Sequence, residues 1–389
     1  MAGLYFILSK SVAALELSGY VGIESLGFFN DALDTRQHSH YLSGAIEPQI
    51  YHEWDDGKQS LAFVPFLRIS QYDHKRSHFD IRELTWLKAA ETWELRVGIR
   101  KEFWGVTEAQ HLVDIINQTD LVENNDTEDK LGQPMINLAL IQDWGTLDLY
   151  LLTGFRERTF PGAQGRLRSF PPVDTNRARF EKNGIVRHLG YAVRWSHAVG
   201  DWDLGFSHFY GTSRDPVLIP EMDDGGNLRL VPFYPMINQT GLDVQVTKGS
   251  WLWKLESIVR DSKQETFFAA TGGLEYTFFD VYQSGLDLGI VLEYLYDSRG
   301  RSAPVVFQDD ILAALRFGFN DTQSTEILAG VIFDRRSSAK FFNVEASRRL
   351  GDSWKLDLEV RLFNGSPGRD PAFVFRNDDH IRAELSYYF

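Results

Sequence analysis

From near residue 15 to the last residue, apolar and polar side chains alternate one by one along the chain. Trp93, Leu95, Val97, Ile99 and Phe103 interleave with Glu94, Arg96, Gly98, Arg100 and Glu102. A strand sends successive side chains to opposite faces, so this text predicts a sheet with one apolar and one charged face. The rhythm recurs at Leu147–Phe155, Trp202–Tyr210, Trp251–Val259, Leu286–Tyr296 and Trp354–Leu362. In each segment aromatic residues flank an aliphatic middle, the order produced by two interfacial girdles around an apolar band.

A soluble sandwich alternates as well, but three features tell against it. The segments run to about ten residues, where soluble strands are commonly about 5–6. The polar face carries Glu, Asp, Arg, Tyr and Gly, which suit charge ladders across a lumen. The links also alternate in length: tight turns at 55–58, 143–145, 200–201, 248–250, 320–322 and 351–353 separate long polar links near 25–40, 104–133, 156–183, 212–228, 298–309 and 364–376. Short turns at one rim and long loops at the other are the barrel pattern.

Strands are expected near 15–24, 41–53, 59–69, 78–88, 92–103, 134–142, 146–155, 184–198, 201–211, 229–247, 251–260, 266–278, 285–297, 309–319, 323–334, 338–349, 353–363 and 378–389. The expected fold is all-β: a single closed antiparallel up-and-down transmembrane β-barrel of about eighteen strands, with sixteen as the alternative count. Even parity puts both termini at the periplasmic rim of a Gram-negative outer membrane.

Composition narrows the picture. The chain of 389 residues holds no run of about 18 apolar residues, so helical spanning is excluded. A hydrophobic content of 43% excludes disorder. Cys is absent, which removes disulfides, thiolate metal sites and Cys nucleophiles and suits an oxidising compartment. A net charge of -14 argues against nucleic acid as a partner. Residues 1–14 read as the remnant of a signal peptide, with Ser11-Val12-Ala13 or Val12-Ala13-Ala14 before the cleavage point; residues 15–389 form the barrel. At the other end, Ile381, Ala383, Leu385, Tyr387 and Phe389 share a face, and Phe389 is expected to present the last strand to the barrel assembly machinery.

The stretch Lys101-Glu102-Phe103-Trp104-Gly105-Val106-Thr107, followed by Asp114-Ile115-Ile116-Asn117-Gln118-Thr119-Asp120-Leu121, resembles a segment of the DUF1302-like and alginate-export-like outer-membrane porin families. There a strand ends in Trp-Gly and precedes an Asn-Pro-x-Asp loop; the Pro is replaced here by Gln118. The resemblance implies a passive solute channel, and it does not imply alginate.

Candidate chemistry lies on the inner face and in two loops. Arg82, Arg96, Arg100, Arg187, Arg260, Arg316, Arg361 and Arg382, with Glu102, are expected to face the lumen and set ion preference by local field. Segment 104–133 holds apolar residues that an exposed loop would not need, so it is expected to fold inward, bringing Trp104, Asp114, Asn117, Asp120 and Glu123 to a constriction. In 156–183, Arg156, Arg158, Arg166, Arg168, Arg177 and Arg179 interleave with Phe160, Phe170 and Phe180. Guanidinium forks suit carboxylate, sulfate or phosphate, on a solute or on lipopolysaccharide. Oxygen-rich Glu123–Asp126 and Asp223–Asn227 lack a full calcium-loop pattern and read as solvated turns, and no metal or cofactor is expected. The functional expectation is an outer-membrane porin for small hydrophilic solutes, anionic or saccharide among them, with membrane lipid and lipopolysaccharide as surroundings. A barrel hydrolase of lipid or peptide, and a structural or adhesive barrel, are the alternatives. His78, His188, His197 and His208 lie on expected strands but in no hydrolase motif.

Overall fold

The computed structural model describes residues 15–184, 188–365, 367–368 and 370–389. The expected signal remnant 1–14 and Arg187 lie outside the described residues. Eighteen strands form one sheet with antiparallel neighbours throughout. The first strand, Leu15–Phe28, pairs with the second, His40–Trp54, and also with the last, His380–Tyr388, in a register running from Tyr20↔Tyr388 to Phe28↔His380. That last pairing closes the sheet and removes its edges, as lipid demands of any spanning β-structure.

Strand lengths run from 8 residues at Trp93–Arg100 to 15 at His40–Trp54. The outer positions are apolar and exposed: Ile290, Leu292 and Tyr294 point away from the barrel, while Val291, Glu293 and Leu295 are buried inside it. Trp202, Trp251, Trp253, Trp354 and Tyr387 sit at one end of the outer face, and Tyr191, Tyr210, Phe268 and Tyr294 toward the other. An apolar belt of this extent has no counterpart on a water-exposed surface and reads as a lipid-facing band between two girdles.

The tight links fall at one rim, with hairpin chemistry; in Asp55-Asp56-Gly57 all three residues have positive φ (59°, 52°, 79°), and Gly57 adopts it without steric cost. The start of the first strand and Phe389 lie at this rim, where the Gly19 and Phe389 backbones exchange two hydrogen bonds of 3.1 Å. Segments 101–132 and 153–184 emerge together at the opposite rim.

Expected strand 229–247 is corrected: it is two elements. Met236–Lys248 belongs to the barrel, while Leu228–Tyr234 pairs with Val217–Met222 and with Arg179–Phe180 in a separate three-stranded sheet of the long loops. Pro235, which has no N–H, separates the two. Strand 184–198 starts later than expected, at Gly190, and 92–103 and 146–155 stop earlier, at Arg100 and Leu152.

Candidate functional site

Segment 101–132 has no regular secondary structure beyond isolated bridges, and its orphan backbone groups are met by side chains on the inner face of the barrel. Glu256, fully buried on strand Trp251–Ser262, accepts the Val106 and Thr107 amides (2.7 and 3.0 Å), the Thr107 hydroxyl (2.8 Å) and the Val113 amide (3.2 Å). Glu293 on the strand Asp287–Asp297 accepts the Glu108 and Ala109 amides (2.8 and 2.9 Å). Close approach at this point needs a glycine: a Cβ on Gly105 would stand 2.8 Å from His111 Nδ1 and 3.1 Å from Glu256 Oε1. Val113, Ile115 and Ile116 are buried against Met135, Tyr150, Phe209, Ile237 and Ile258 of the wall, the burial that their apolar character calls for.

The other inward-loop candidates act as fasteners. Trp104 packs on Tyr150 (centroids 5.6 Å apart), with the Arg194 guanidinium 5.2 Å over its ring. Asn117 joins the two ends of the segment: its Oδ1 accepts the Glu102 amide, and its Nδ2 donates to the Arg100 and Leu131 carbonyls. Asp114 pairs with Lys130 (3.0 Å). Asp120 accepts from Arg82 (2.7 Å) and from the Thr159 hydroxyl (2.6 Å). Glu123 is held by Arg68 (2.9 Å), and Arg361 donates to Asn125 (2.6 Å) and Asp126 (3.0 Å). Burial opposes the charge on His111, but the close contact with Glu128 (3.1 Å) and the charges of Glu128 and Glu256 outweigh it and hold its pKa up at about 10. Burial and the Asp126 and Glu123 charges push the Asp129 carboxyl up to about 7.

The expected lumen arginines are committed to acids and amides. Arg96 bonds Glu94 and Asn137; Arg100 pairs with Glu102 (2.8 Å); Arg260 with Asp215 (2.7 Å); Arg316 with Glu108 (2.7 Å) and Glu275 (3.2 Å); Arg382 with Glu24 and Glu384 (2.9 Å each). The expectation for 156–183 is corrected for two residues. Arg166 and Arg168 are buried and reach across the mouth to Asp378 (2.7 Å) and Asp34 (2.8 Å), so they face neither solvent nor lipopolysaccharide. Arg156 reaches Asp80 (2.7 Å) and Arg158 Asp215 (2.6 Å), leaving Arg177, paired with Asp224 (3.2 Å), and Arg179, paired with Glu221 (2.7 Å), on the more exposed part of the loop. The loop thereby forms a cover latched onto the far side of the rim.

Sequence reasoning missed Arg68, Arg76 and Arg214. Arg68 alternates with the outward Leu67 and Ile69, a legible signal. Arg76 sits in the short link after that strand and pairs with Glu24 (2.9 Å). Arg214 is buried beside Phe155 and Phe209 and donates to the Ile116 carbonyl (3.0 Å), with nothing local to announce it. His78, Asp120 and Glu123 offer ligand atoms within 4.8 Å of one another, but Arg82 and Arg68 already bond both carboxylates and would repel a metal ion. His208 bonds Thr240 on the outer face, away from any interior nucleophile.

Between the inward segment and the wall formed by strands from Trp251–Ser262 to Trp354–Asn364 a cavity of about 870 Å³ remains, bounded above by the long loops. The expected polar inner face is corrected here: Val291, Leu295, Leu312, Ala314 and Ile332 form one buried apolar cluster on this side, and Leu312, Ala314 and Ile332 line the cavity.

No family model and no curated relative matches the sequence. Among solved structures, a loop-deletion mutant of OmpT, an outer membrane protein of Vibrio cholerae, is similar with a TM-score of 0.50 and 8% identity, covering 97% of this chain and 99% of that one. A mutant of Rh. blastica porin gives a TM-score of 0.48 and 11% identity, covering 97% of this chain and 100% of that one. At such identity the likeness to the Vibrio protein concerns the fold alone: the chain is a closed antiparallel barrel of eighteen strands.

Proposed function

We propose that the chain is a porin-type channel of a Gram-negative outer membrane, passing small solutes through a lumen narrowed by 101–132. The observation that carries this reading is the cavity of about 870 Å³ left between that segment and a charged and apolar wall, inside a barrel whose outer face suits lipid. A barrel of this strand number is wide enough to leave an aqueous channel unless something fills it. Because the wall arginines are already paired, a strong anion preference is not expected of the intact protein. The start of the first strand and the end of the last, both at the rim of short turns, support periplasmic termini. Contact of Arg177 and Arg179 with lipopolysaccharide, engagement of the assembly machinery through Phe389, and kinship with the DUF1302-like and alginate-export-like porins through Trp104-Gly105 and Asn117–Asp120 are parts of the same reading.

Planar-bilayer recording tests it. The intact protein should conduct ions in discrete steps. Deleting 106–130 should raise single-channel conductance and shift preference toward anions, since it removes Glu108, Asp114, Asp120, Glu123, Asp126, Glu128 and Asp129 and takes one carboxylate partner from each of Arg68, Arg82 and Arg361. Unchanged conductance with an intact barrel would place the restriction elsewhere.

A further inference from the structure

Passage of hydrophilic solutes does not account for the aromatic side of the cavity. Phe307, from the link before strand Asp309–Gly318, packs against Phe341 (centroids 6.3 Å apart); Phe341 packs against Phe363 (5.1 Å) and Phe363 against Phe375 (5.4 Å). All four rings line the cavity. Two come from neighbouring strands and two from long loops, so the row is assembled by the fold and not by one stretch of sequence. Leu328 and Ile332 extend the apolar surface toward Ala109 on the inward segment.

The charges beside this row are acidic. Asp310, only 4% exposed, lines the cavity; its Oδ2 accepts the Gln308 and Asp309 amides (2.6 and 3.0 Å), which leaves Oδ1 without a partner among the described residues. Asp334 and Asp370 are its charged neighbours and also line the cavity. No ion pair reaches any of the three among the described residues. Of the cations lining this side, Arg361 is held by Glu359 and Asp126, Arg299 by Asp297 and Glu265, and Lys340 is exposed at the first residue of its strand. Ring faces carry negative quadrupole potential, and a desolvated carboxylate adds to it, so both features favour the same partner.

We propose that this cavity binds a solute with a flat apolar ring and a cationic end, of the aryl-alkyl-ammonium class, with the ring on the Phe341–Phe363 surface and the ammonium at Asp310. The proposal names a substrate class for the channel and rests on that reading only for passage, not for binding.

Calorimetric titration of the full chain in detergent tests the site without requiring conduction. The probes are phenethylammonium, phenylacetate (ring, opposite charge) and hexylammonium (charge, no ring). Phenethylammonium should bind at least about tenfold more tightly than either comparator. Phe341→Leu, which keeps bulk and removes the ring, should erase its advantage over hexylammonium; Asp310→Asn should erase its advantage over phenylacetate. Equal affinity for all three probes, no binding, or indifference to both substitutions in a protein that retains its barrel circular-dichroism spectrum would overturn the proposal. Bilayer current separates the two readings: binding without any conductance overturns the channel and leaves the site, and conductance with no phenethylammonium binding overturns the site and leaves the channel.

Discussion

One carboxylate, Glu256, accepts three backbone amides and a hydroxyl from 106–113, so a stretch without regular structure is anchored as firmly as a capped helix end. His111 completes the anchor, with Nδ1 3.6 Å from Glu256 and Nε2 3.1 Å from Glu128. Its pKa is raised from 6.5 to about 10, so the stabilisation from its charged form is fully present below pH 6.5 and is lost as pH rises through about 10. Thermal unfolding in detergent should show a Tm that falls between pH 7 and pH 10.5 more steeply in the wild type than in His111→Gln. Parallel pH profiles for the two proteins would mean that His111 is not charged in the folded state.

At the scale of the strand, depth decides the cost of a charge on the outer face. Leu292 is at the middle of Asp287–Asp297 and 44% exposed, whereas Leu288 is one residue from its end. Leu292→Arg should lower stability by about 2–4 kcal/mol and Leu288→Arg by about 0–1 kcal/mol, because a charge near the interface reaches water. Reversible unfolding from lipid vesicles measures both, and equal costs would mean that the band is misplaced along the strand. The strands themselves were legible because a two-sided environment, lipid outside and lumen inside, writes a period of two into every one of them. Leu228–Tyr234 misled because it has the same alternation, yet it pairs with other loop residues. The interior was less legible. Apolar Val113, Ile115 and Ile116 announced that 104–133 needed burial, but the partner of each arginine is a long-range fact: Arg166 meets Asp378 and Arg361 meets Asp126 only once the barrel has closed. Phe363 stood among polar positions as a visible exception, and its neighbours Phe307 and Phe375 came from links that no periodicity describes.

For the molecule as a whole, closure depends on the pairing of Leu15–Phe28 with His380–Tyr388, and Phe389 extends it by the two backbone bonds to Gly19. Deleting Phe389 should lower insertion into the outer membrane in cells while the detergent-folded barrel keeps most of its stability, since two bonds at a rim are few among those of eighteen strands. Surface labelling and heat-dependent gel migration measure the two; undiminished surface levels would leave the terminal Phe without a role in assembly.

The many ties of 101–132 to the inner face have a consequence for the order of events in folding. Val106 waits for Glu256, Glu108 for Arg316, and Asn125 for Arg361, so the docking sites of one short stretch lie far along the chain that follows it, between positions 256 and 361. Contacts between residues so far apart form late, because the intervening chain must first be ordered. While the sheet is still open, the segment has only part of its bonding set, and Glu256 and Glu293 have no amides to bind. The segment should therefore reach its final state only after the wall strands that hold Glu256, Arg316 and Arg361 have paired.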